Sequence, residues 1–99
     1  MTPEDACAHF GLSDVYHRKG MYDMALAEIN EAMKLKPRWP FYHKKMGNIL
    51  ESAGDIDAAI GQFEMAVSLK PDYEEALANL SRLMGDKKVA AKPKKAPKC

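Results

Sequence analysis

At 99 residues the chain is bounded to one small domain, and 46% hydrophobic with 29% charged residues is globular composition, neither disordered nor membrane-embedded. The net charge of +1 hides an asymmetry: residues 1–86 hold 14 acidic and nine basic residues, net −5, whereas residues 87–99 hold six lysines and no acid. No run of about 18 apolar residues occurs, the first ten residues lack the basic and apolar segments of a secretory leader, and Cys7 and Cys99 do not make a disulfide framework, so a reducing, cytoplasmic setting is expected.

Thr2-Pro3-Glu4-Asp5 opens a first helix, with Thr2 as N-cap and acid against the positive end of the helix dipole. Its apolar residues are Ala6, Phe10, Leu12, Val15 and Tyr16, and Gly20 stops it. A second helix over about 23–35 carries Ala25, Leu26, Ile29, Ala32, Met33 and Leu35 on one broad face, and Pro37 closes it. Trp39-Pro40 starts a third, with Met46, Gly47, Ile49, Leu50 and Ala53, ending at Gly54-Asp55. A fourth, over about 56–69, carries Ala59, Ile60, Phe63, Ala66, Val67 and Leu69 before Pro71. Asp72-Tyr73-Glu74-Glu75 has the form of a capping box with Asp72 as N-cap, and the helix it opens carries Ala76, Leu77, Leu80, Leu83 and Met84 before Gly85. No segment alternates with period two, so no strand is expected. Residues 87–99, rich in Lys, Ala and Pro, offer too little apolar surface to offset chain entropy and read as a disordered tail.

Two of these segments are copies. Gly20, Asp23, Ala25, Ala32, Leu35, Lys36 and Pro37 recur at one constant offset as Gly54, Asp57, Ala59, Ala66, Leu69, Lys70 and Pro71. A period in the range of roughly 20–50 residues marks an array of repeated units. The repeated alanines belong where helices cross closely and a larger side chain would part them.

On those residues the chain resembles the tetratricopeptide repeat family. The first unit supplies Leu12-Ser13, Tyr16, Gly20, Ala25, Ile29, Ala32 and Pro37; the second supplies Met46-Gly47, Leu50, Gly54, Ala59, Phe63, Ala66 and Pro71. His9 and His43 stand where the family usually has an aromatic residue, and Leu50 replaces the second Tyr. The resemblance implies an all-α, helix-turn-helix solenoid over residues 1–86. Two repeats, about 6–39 and 40–73, would be closed by a capping helix at about 73–85. It also implies a protein-binding scaffold with no cofactor, whose first helices line a concave groove. Carried over by position, the groove takes Cys7, Phe10, Asp14, His17 and Arg18, then Phe41, Lys44, Asn48, Glu51 and Ser52, then Glu75, Ala78, Asn79 and Arg82.

Some members grip the acidic C-terminal tail of a partner through a Lys and an Asn one turn apart, and Lys44, Asn48 and Asn79 fall at matching places. The further basic pair is missing save for Arg82 or a tail lysine, and Glu51 and Glu75 would oppose an acidic ligand. The plainer alternative leaves Lys44 solvated.

Elsewhere the residues point to structure. His9 and His43 occupy a packing position, and the absence of CxxC or HxxxH spacing argues against a metal. No catalytic or phosphate-cradling motif is present, so an enzyme is not expected. Met24, Met33, Met46, Met65 and Met84 read as core filler. Two further functions stay open: self-assembly through apolar ends into a weak dimer or a larger stack, and carriage of the basic tail to an anionic surface, although the tail has no aromatic residue to stack on nucleic-acid bases.

Overall fold

A computed structural model describes residues 5–85. Five helices follow one another: α1 (Ala6–Arg18), α2 (Tyr22–Leu35), α3 (Pro40–Ser52), α4 (Ile56–Leu69) and α5 (Glu74–Met84). Each packs on the next, and the pairs α1–α2 and α3–α4 are in more extensive contact than the joins between them. This is the all-α helical-repeat solenoid expected, two helix pairs closed by a fifth helix.

Both within-pair turns are built alike. The Gly20 N–H donates to the His17 carbonyl at 3.0 Å and the Met21 N–H to Tyr16 at 2.9 Å; Gly54 and Asp55 do the same to Glu51 and Leu50 at 3.0 and 2.9 Å. These paired bonds require a left-handed residue just past the helix end, which glycine adopts without a side-chain clash, and φ is +76° at Gly20 and +93° at Gly54. The second helices stop differently. A residue before proline is pushed toward extended backbone, and Lys36 and Lys70, before Pro37 and Pro71, leave the helix at φ −137° and −141°.

Two local expectations are corrected. The first helix begins at Ala6 with Asp5 as N-cap, its carboxylate accepting from the Cys7 N–H at 2.9 Å; Thr2 lies outside the described residues. Asp72 does not cap α5: Tyr73 is the N-cap, without a side-chain bond, and the Asp72 carboxylate accepts from Lys70 at 2.9 Å. The expectation for the tail falls outside the described residues.

Ala25, Ala32, Ala59 and Ala66 are fully buried, as are Ile29, Ile49, Tyr42 and Phe63. Of the methionines read as filler, Met33 and Met46 pack on the core, but Met24, Met65 and Met84 are 44%, 47% and 62% exposed. Met24 and Met65 precede the buried Ala25 and Ala66, and a step of one residue turns about 100° around the helix, out of the core. Val15 is 45% exposed whereas Ile49, its counterpart in the second repeat, is fully buried in the cluster that α2 completes; no described element precedes α1 to cover Val15. Among the described residues no helix is long and apolar enough to cross a membrane.

Candidate functional site

The first helices α1, α3 and α5 are joined by a row of polar contacts. Lys45 Nζ of α3 donates to Asp14 of α1 at 2.6 Å, and Asp14 also pairs with Arg18 at 3.1 Å. On the other side of α3, Lys44 pairs with Glu75 of α5 at 2.9 Å, Asn48 Oδ1 accepts from the Asn79 amide at 3.4 Å, and Glu51 pairs with Arg82 through both its oxygens. The contacts Asp14–Lys45, Asn48–Asn79 and Glu51–Arg82 each link residues 31 apart. That is about one helical turn short of the repeat, so neighbouring first helices meet with a stagger of about one turn.

His17 sits where this row crosses from α1 to α3. Its Nε2 lies 2.8 Å from Ser52 Oγ and its Nδ1 3.4 Å from Lys45 Nζ, with the Tyr22 ring packed edge-on. An ammonium has only donors, so Nδ1 is the acceptor and Nε2–H donates to Ser52. Burial and the Lys45 charge hold the His17 pKa below its ordinary value against the pull of Asp14. Burial works to raise Asp14, but the hydrogen bond and charge of Lys45, helped by Arg18, hold its carboxyl below the usual carboxylate range. The Arg82 hydrogen bond does the same for Glu51 against burial.

Of the residues placed in the groove from sequence, Asp14, His17, Lys44, Asn48, Glu51, Asn79 and Arg82 therefore stand together, and they are bonded across the three helices. Phe10 and Phe41 are drawn elsewhere. Phe10 stacks on buried Tyr42 with ring centroids 5.4 Å apart, Tyr42 meets Trp39 at 6.5 Å, and Phe41 packs edge-on to Trp39 and to Tyr73 at 5.1 Å each. Both are half-buried members of an aromatic chain that ties the two units together. Lys45 had no place in the sequence-based site. Its signal was its distance along the chain from Asp14, which only the stagger of the helices makes meaningful.

The histidine positions also gain a role. His43 is 5% exposed, with Nε2 3.0 Å from the Pro37 carbonyl and Nδ1 3.0 Å from the Gln62 amide. His9, its counterpart in the first repeat, meets Glu28, the equivalent of Gln62, at 2.7 Å. Each histidine thus locks a first helix to its own second helix.

The tetratricopeptide repeat model matches residues 8–38 and 45–73. The chain is 35% identical over 75 residues to human protein O-mannosyl-transferase TMTC1, covering 70% of this chain and 8% of that protein. It is 30% identical to mouse superkiller complex protein 3 (79% of this chain, 5% of that protein) and 32% identical to the wheat Hsp70-Hsp90 organizing protein (77% and 13%). The chain thus spans a small fraction of these relatives. The repeated turns, the fully buried alanines at equivalent places in both units and the family match agree, and the chain belongs to the tetratricopeptide repeat family.

Proposed function

We propose that the chain is a non-catalytic binding module that holds an extended partner segment along the wall of α1, α3 and α5, and reads that segment by hydrogen bonding rather than by net charge. The observation that supports this is the pairing of the wall itself. Its carboxylates Asp14, Glu51 and Glu75 each already face a cation from the neighbouring helix. Asn48 uses its oxygen toward Asn79, while its NH2 group enters no hydrogen bond among the described residues. A carbonyl of an extended backbone is the natural acceptor for such a donor. The wheat relative, by its name, organises Hsp70 and Hsp90, which agrees with a protein-binding role for these repeats.

An acidic C-terminal tail is a weaker fit. Lys44 and Glu75 are only 19% and 15% exposed at their side chains, so an incoming carboxylate would have to displace Glu75 and leave it unpaired beside the ligand. Selection of peptides from a random display library on the full chain tests the reading. Selected peptides should be low in charge and should lose at least about tenfold in affinity on Asn48→Leu. Selection of acidic-tailed peptides dependent on Lys44 would overturn it in favour of the charge clamp.

A further inference from the structure

Helix α5 occupies the register of a third first helix, and its own second helix is not among the described elements. The two complete pairs show what such a face is made to receive. On α1 and α3, His9 and His43 meet Glu28 and Gln62, and Gly47 lies against the Phe63 ring. The α5 positions one repeat beyond His43 and Gly47 are Leu77 and Ser81. His43 and Gly47 are buried under α4, whereas Leu77, Leu80 and Ser81 are only half-buried and Met84 is 62% exposed. The residues after Gly85 do not repeat the covering pattern, for Pro93 and Pro97 stand one repeat beyond Ala59 and Phe63. A second copy stacked head to tail would set α1 against α5, a first helix against a first helix, and would supply no second helix.

We propose that the Leu77–Ser81–Met84 face of α5 is a docking site for one amphipathic helix of a partner protein. The face specifies that helix. Close approach needs small residues at the places of Ala25 and Ala32. Where Glu28 and Gln62 answer a histidine, the occupant meets Leu77 and is apolar there. Ser81 matches Ser13, whose unit uses Ile29, rather than Gly47, whose unit uses Phe63, so the large residue is Ile. The inward face therefore reads Ala-x-x-Leu-Ile-x-x-Ala.

The probe is a labelled synthetic peptide of residues 21–36 carrying Glu28→Leu, followed by fluorescence anisotropy on the full chain. Saturable binding is expected, weakened at least about tenfold by Met84→Glu and unchanged by Asn48→Leu, which separates this face from the groove. Met84 is 62% exposed, so the variant keeps its fold, which circular dichroism checks. The same peptide retaining Glu28 should bind more weakly, because its carboxylate would be desolvated against Leu77. No binding, equal binding to the Met84→Glu chain, or a dimer in sedimentation that Met84→Glu dissolves would each overturn the proposal, the last by making a second copy the occupant.

Discussion

Gly47 of α3 and Phe63 of α4 are matched in volume: a side-chain carbon placed on Gly47 would lie 2.7 Å from the Phe63 ring, which is itself fully buried. The first unit solves the same position with Ser13 and Ile29, both also fully buried, trading a larger residue on one helix for a smaller one on the other. Gly47→Ala improves helix propensity by up to about 1 kcal/mol yet should destabilise the chain by about 1–3 kcal/mol through overpacking. The double variant Gly47→Ser with Phe63→Ile, copying the first unit, should recover most of that loss. Urea unfolding of Gly47→Ala, of the double variant and of its two single components measures both, and additive effects in the double variant would show that the two positions do not touch.

Ala59 has no exposed surface and lies on the face that α4 turns to α3. Ala59→Leu adds three carbons where none fit, and a loss of about 1–3 kcal/mol is expected. An unchanged thermal midpoint would mean that α3 and α4 separate there without cost.

Replacing His43 by Leu leaves the Pro37 carbonyl and the Gln62 side-chain oxygen, both against the buried ring, without their ring partner. A cost of about 1–3 kcal/mol is expected for the stranded polar groups. The matching His9→Leu change should cost less, since that ring is 22% exposed and water can reach Glu28. Chemical denaturation of both variants compares them, and equal losses would contradict the ranking.

Acid should weaken the wall. The Asp14 and Glu51 carboxyls are held below their ordinary values, so their stabilisation is present above the usual carboxylate range and is lost as pH falls through the lowered folded values. His17 is held below 6.5, so between its folded value and 6.5 the unfolded chain binds more protons; stability is full above 6.5 and declines below it. All three slopes have one sign. Melting temperature should fall from about pH 7 downward and steepen below about pH 4, with His17→Asn flattening the upper part. A midpoint constant over that range would refute the linkage.

Much of the architecture was written in local chemistry. Gly20 and Gly54 mark turns because a left-handed residue is needed there, Pro37 and Pro71 end helices by restricting the residue before them, and alanines at a fixed spacing mark the crossings; each acts within a short stretch of chain. The cap of α5 was misread by one residue, because Asp72 had a competing cation in Lys70 that a capping pattern does not weigh. The groove was half legible. Position in the repeat picked out Asp14, Lys44, Asn48 and Arg82, but not that they bond to one another, nor that Lys45 belongs with them. Those contacts depend on the stagger between α1, α3 and α5, set by how each second helix wedges between two first helices. Exposure of Met24, Met65 and Val15 was likewise decided by which faces have a neighbour, a property of the stack and not of any helix alone.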